Sequence, residues 1–342
     1  MQQRNNAISF LHTFGIILVV LGHSFYAYKQ LYDENYLYDW RKFAMPLFMF
    51  MSGYLLKYTA RAKHRPLGGM TAGGVCSFLA KKAKRLLIPY AVISSAVFLP
   101  KALLSVYAMH PVELSLSSYV EMLVYPDYNA IRLFWFLPTL FVMFCMVAAG
   151  AYILRVMRLK VHPLIILLVL LLPHVTPLSA GDIRLFNISK AINIHLLYFA
   201  AGYYFCKYGK MENFIAVHRG LVFGVTFVIS IAVLLLPDGD VKSLLLAFNG
   251  IAMSFAIAHI YVGRKWSFLN PYFEASYAIY LFSWFPQVFV QQFLLSFMDM
   301  PWLLNTALAF SSGFFVPYLI YRLIMRYKHT KVGKVVALLT GQ

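Results

Sequence analysis

Apolar runs of about 20 residues follow one another along almost the whole chain, separated by short stretches where Pro, Gly and charge collect. Wound as a helix, such a run matches the roughly 30 Å hydrocarbon core of a bilayer, because each residue adds about 1.5 Å. Ten runs are found, near 7-28, 43-58, 86-108, 132-155, 161-178, 188-207, 217-236, 243-262, 274-298 and 301-325, of which the second and fifth are short. The pattern predicts an all-α, polytopic integral membrane protein of about ten transmembrane helices, one membrane domain over residues 1-342 without a soluble appendage. The first run is too long for a signal h-region and has no small-residue cleavage site, so it is read as a span. With 61% hydrophobic and 12% charged residues and a mean hydropathy of +0.69, the chain has too little polar surface to dissolve.

The charges orient these runs. Lys57, Arg61, Lys63, Arg65, Lys81, Lys82, Lys84 and Arg85 fall in one stretch that holds no acid, between apolar runs. Basic juxtamembrane loops stay cytoplasmic. Counting ten spans outward from here places both termini in the cytoplasm, together with most basic residues and only Glu212 and Glu274 among the acids. A missed or invented span inverts every later loop. The net charge of +18 has no basic amphipathic stripe or zinc spacing beside it, so it excludes nucleic acid as the natural partner and points to membrane lipid. The glycine pairs Gly68-Gly69 and Gly73-Gly74 predict a flexible loop, followed by a separate amphipathic helix over 77-85 on the inner membrane face. Cys76, Cys145 and Cys206 are too few and scattered for a disulfide framework.

Ionisable groups inside a bilayer are costly, and they mark function by default. Four histidines fall within the runs: His12, His23, His195 and His259. His12 and His23 are eleven residues apart, about 1100° of helical rotation and within roughly 20° of three full turns, so they share a face about 16 Å apart in height. Gly22 and Ser24 flank His23 with small side chains. Imidazole is suited to take a proton from an alcohol and return it to a leaving group. His195 and His259 have no such company. Nor do clustered ligands suggest a metal. The Gly220 to Gly224 spacing fits a close helix contact. Pro46, Pro138, Pro286 and Pro317 interrupt runs where helices can line a cavity. Aromatics and acids gather outside: Tyr32, Tyr36, Tyr38 and Trp40, then Glu113, Tyr119, Glu121, Tyr125, Asp127 and Tyr128, suited equally to sugar binding and to an interfacial belt.

The segment FLHTFGIILVVLGHS from Phe10 to Ser24, followed by FAMPLFMFMSGYL from Phe43 to Leu55, resembles the opening of the membrane-bound acyltransferase family 3. KRLLIPY from Lys84, FWFLPTL from Phe134, LYFAAGY from Leu197 and SYAIYL from Ser276 resemble later segments of that family in order. The resemblance implies transfer of an acyl group, usually acetyl from acetyl-CoA, to a hydroxyl of a sugar, most often on a bacterial surface polysaccharide, and so a place in the bacterial inner membrane. It makes His23 the catalytic base. Where the family commonly has an arginine, eleven residues earlier, this chain has His12, which lacks the forked, always-ionised guanidinium. Arg85 matches the basic residue that starts the third span. A family histidine two residues after the late Tyr-Leu pair is replaced by Ser283.

These expectations assemble into a mechanism. Acetyl-CoA, as donor co-substrate, meets Lys81, Lys82, Lys84 and Arg85 with its phosphates and His12 at the pocket mouth. The pantetheine arm runs along the first span to His23, which deprotonates the hydroxyl of a glycan or lipid-linked sugar acceptor. Ser24, Ser52, Tyr54 and Trp135 are the candidates for orienting His23 or holding the oxyanion, and a covalent acyl-histidine relay is a variant. The alternatives are a lipid-linked sugar transporter or flippase, a same-family succinyl transferase, and a structural membrane partner. Against transport, no Asp or Glu falls in the middle of any run, where coupling carboxylates belong.

Overall fold

The computed structural model describes residues 6–25, 41–62, 69–103, 112–179, 181–294 and 301–341. Tyr32, Tyr36, Tyr38, Trp40 and Gly68 lie outside the described residues. Among the described residues the chain is helical throughout, without a strand. Among the described residues, five helices are long and apolar enough to cross a membrane: Asn6–Ser24, Ala72–Leu103, Leu133–Val156, Asp240–Gly263 and Trp302–Tyr327. A sixth candidate is the pair Lys210–Val217 and Arg219–Leu234, bent by 96° at His218.

The other expected spans are helical but short or interrupted. The run at 43-58 is the Ala44–Ala62 helix. The run at 161-178 is Pro163–Val175, whose 13 residues rise only about 20 Å. The run at 188-207 opens as one α-turn, Ile188–Lys190, widens into a π-turn, Ala191–His195, and becomes regular at Leu196–Tyr208. The run at 274-298 breaks into Ser276–Phe282, Trp284–Val288 and a π-turn, Phe289–Leu294. Irregular backbone at membrane depth is tolerated where protein side chains or a cavity meet its polar groups.

Two sequence expectations are corrected. The stretch 77-85 is not a separate amphipathic helix after a flexible loop, because the helix begins at Ala72 and runs unbroken to Leu103. The Thr71 hydroxyl accepts from Gly74 N–H at 3.3 Å, so Gly73 and Gly74 lie in a capped first turn. No proline follows until Pro89, and 32 residues rise about 48 Å, well beyond a hydrocarbon core, so the basic end projects as helix. Gly220 and Gly224 make no close contact, since a Cβ on either meets nothing within 4 Å. The close crossing is elsewhere. A Cβ at Gly53 would stand 1.9 Å from the Phe199 carbonyl oxygen, and one at Gly202 would stand 1.9 Å from that of Phe50. Reciprocal glycines bring these two helices into backbone contact, as small residues do in membrane bundles.

The chain divides into two compact units, Met1–Tyr58 with Tyr198–Arg326, and Thr59–Leu197 with Tyr327–Gln342. In the first, the Asn6–Ser24 helix packs on Asp240–Gly263 through Phe10 and Tyr261, ring centroids 4.6 Å apart. It is tied to Ser276–Phe282 by the Thr13 and Ser276 hydroxyls at 3.1 Å. In the second, buried Asn129 joins Ala72–Leu103 to the segment after Leu116–Val124, donating to Ser94 Oγ at 2.9 Å and to the Met122 carbonyl at 3.2 Å. Tyr90 adds a bond to the same carbonyl at 2.9 Å. The three cysteines are thiols without a disulfide.

Candidate active site

The last carbonyls of a helix have no partner within it, and in hydrocarbon no water supplies one. The Asn6–Ser24 helix ends on His23 and Ser24, and side chains from the interrupted helix at 276–294 cover that end. Gln291 Nε2 donates to the carbonyl oxygens of His23 at 2.8 Å and Ser24 at 2.9 Å. Gln287 Nε2 donates to the Val20 carbonyl at 2.8 Å and to Ser24 Oγ at 3.0 Å. The two glutamines are four residues apart, about 400° of rotation, so both amides leave one face. Gly313 gives Gln287 its room, because a Cβ there would sit 2.5 Å from Gln287 Cγ.

His23 is half-buried at this braced end, and His12 is half-buried lower on the same unbroken helix with its ring 6.3 Å from that of Phe48. The helix is regular throughout, so the shared face inferred from the eleven-residue spacing holds.

The four groups considered for orienting His23 or holding an oxyanion each have a partner within the protein. Ser24 Oγ donates to the Val20 carbonyl at 2.8 Å and accepts from Gln287, so its one proton is spent on the helix end. Ser52 Oγ donates to the Phe48 carbonyl of its own helix at 2.8 Å. Tyr54 donates its hydroxyl to Glu212, 3.0 Å from each carboxylate oxygen. Trp135 stacks on His195, with ring centroids 5.2 Å apart and planes 22° from parallel. Ser24 and Ser52 thus bond the carbonyl one turn back, and Tyr54 bonds a carboxylate. A hydroxyl with an acceptor one turn back, or beside a carboxylate, gives its hydrogen there.

In the second unit the basic residues divide. Lys81, Lys84 and Arg85 are exposed on the Ala72–Leu103 helix. Lys82 instead lies with its ammonium 4.0 Å from the Phe144 ring centroid and 5.5 Å from that of Phe78, a cation–π arrangement that turns it against the fold.

Sequence reasoning passed over Gln287, Gln291 and Glu212. For the glutamines a signal existed: two amides one helical turn apart within an apolar run, where each needs a protein partner. Glu212 carried no such signal, because its partner Tyr54 is 158 residues away. His195 is solitary in its apolar run, and folding gives it Trp135.

Among the described residues no three His, Cys, Asp or Glu side chains cluster as a metal site. One protein-family model, described as an acyltransferase domain, matches residues 5–322. Comparison with curated proteins and with solved structures gave no match.

Proposed function

The chain belongs to the acyltransferase 3 family and is a multi-pass membrane acyltransferase, and from that premise we propose that it moves an acetyl group from cytoplasmic acetyl-CoA to a sugar hydroxyl of a cell-surface or lipid-linked glycan. In this reading residues 1-342 form one transmembrane acyltransferase domain of ten spans in a bacterial inner membrane, with both termini cytoplasmic. His23 is the catalytic base. The observation that supports it most is the bracing of the helix end that carries this ionisable residue, by Gln291 at the His23 carbonyl and by Gln287 at the Val20 carbonyl.

The imidazole takes the proton of the acceptor hydroxyl as its oxygen attacks the thioester carbonyl. The tetrahedral intermediate collapses with loss of the CoA thiolate, which the imidazolium protonates, leaving an acetyl ester and free CoA. Exposed Lys81, Lys84 and Arg85 receive the donor's phosphates, with Arg85 suited to bidentate contact. His12 offers a hydrogen bond where relatives carry arginine. Lys82, held over Phe144, contributes charge more than contact.

The test is incubation of membranes with radiolabelled acetyl-CoA, comparing the wild-type chain with His23→Ala and Arg85→Ala. Label in the glycan from the wild type alone supports the reading. Equal label in all three sinks the site assignment. No label with any acceptor, while sugar export depends on the protein, makes it a transporter. Label from succinyl-CoA alone changes the acyl group and leaves the site intact.

A further inference from the structure

We propose that residues 185–195 of the second unit, with Trp135, form a recognition site for a sugar ring. The backbone there departs from a helix twice. Phe186 and Asn187 both take positive φ, 46° and 57°, and four residues later the chain widens into the π-turn Ala191–His195. A bulky residue in the left-handed region is a real outlier, and π-turns concentrate at functional sites. Such strain persists only where the surroundings impose it.

What the distortion achieves is placement of polar nitrogen in a dry interior. Asn187 is 2% exposed and His195 7% exposed. Asn187 Nδ2 and His195 Nδ1 are buried without a hydrogen-bond partner in the protein. Each such atom costs about 1–3 kcal/mol, so a pair in one short segment calls for a ligand or water to meet them. The two residues stand eight positions apart in the chain, at either end of the distorted stretch. Trp135 stacks on His195 and stays half-exposed, leaving part of an indole surface for the apolar face of a ring.

The rim is polar and cross-tied. Lys190 pairs with Asp127 at 2.5 Å, Arg184 reaches the Tyr128 hydroxyl at 3.4 Å, and Lys101 donates to the Ala130 carbonyl at 2.7 Å. The first two bonds fasten the turn at 126–128 to Lys190 and Arg184, and the third ties Ala130 to the Ala72–Leu103 helix. A hydroxyl both donates and accepts, so it satisfies the Asn187 amide and either tautomer of His195. Indole plus an amide and an imidazole nitrogen, with Lys190 paired to Asp127 and Arg184 to Asp182, suits a polyhydroxylated ring.

The identification of that ring with the acetyl acceptor rests on the function proposed above; the site itself does not. The test uses the full chain in its native membranes, which hold whatever glycan it meets. Trp135→p-benzoylphenylalanine is irradiated beside Leu168→p-benzoylphenylalanine, a control on the exposed Pro163–Val175 helix. Adducts are released and analysed for sugar by mass spectrometry. The expected result is a sugar adduct at 135 and lipid alone at 168. Adding Asn187→Gly, which keeps the positive φ, or His195→Phe, which keeps the ring, lowers the adduct at 135 about tenfold. With Trp135 intact, the same two changes raise the acceptor KM about tenfold and leave the acetyl-CoA KM unchanged. A site filled only by water gives no sugar adduct and overturns the proposal, as does capture indifferent to both changes. Sugar captured at 135, while the wild-type chain transfers no acetyl, overturns the proposed acetyl transfer and leaves this site standing. Acetyl transferred to glycan without capture, and with unchanged acceptor KM, does the reverse.

Discussion

The end of the Asn6–Ser24 helix and the segment at 185–195 meet the same difficulty, polar atoms in a dry interior, and resolve it in opposite ways. At the first, two glutamine amides cover three backbone carbonyls and a hydroxyl, and Gln287 Oε1 is left without a partner. At the second, two side-chain nitrogens stay bare within a stretch of irregular backbone. Saturated hydrogen bonding makes a position rigid, which a base requires to meet a proton at the right angle. Unsatisfied groups store a cost that a bound ligand removes, which suits recognition.

Substitutions separate these two designs. His23→Ala should lower acetyl transfer by about 10²–10⁴, the usual worth of a general base, with little change in thermal midpoint. Retained transfer would remove His23 from the chemistry. Gln291→Leu strips the donor from two carbonyls at once. It should lower turnover about 100-fold at unchanged acetyl-CoA KM and cost about 1–3 kcal/mol of stability. If turnover holds while the midpoint falls, the bracing is structural only. Ser24→Ala removes one hydroxyl whose proton is already spent, so the expected loss is about 1 kcal/mol and a few-fold in rate. A loss as large as that of His23→Ala would make Ser24 a participant in the chemistry. In the other region the sign reverses: His195→Phe deletes a bare nitrogen and should leave the protein as stable or more so by about 1 kcal/mol, read as an unchanged or raised midpoint in detergent. A fall of several degrees would mean that His195 holds the fold as tightly as the glutamines do.

The class of the fold was legible because each long apolar run must be helix to satisfy its own backbone in lipid, a purely local requirement. The candidate base was legible for a related reason, since a histidine in such a run stands out against its neighbours. Local features that depend on competition between neighbours were harder. Gly73 and Gly74 suggest a hinge, and a threonine cap with a long proline-free stretch behind it outweighs them. Gly220 and Gly224 have the spacing of a contact, and Gly53 and Gly202 make one.

Length, apolar periodicity and six ordered motifs determine, without coordinates, that this is a helical membrane protein of the acyltransferase 3 family with an imidazole at the end of its first helix. Only tertiary structure decided what that imidazole and its neighbours touch. Ser24 and Gln287 are 263 residues apart, and Tyr54 and Glu212 are 158 apart. A side chain in lipid must find a partner somewhere, and which partner it finds is set by which helices pack together, a choice that no single run of residues contains.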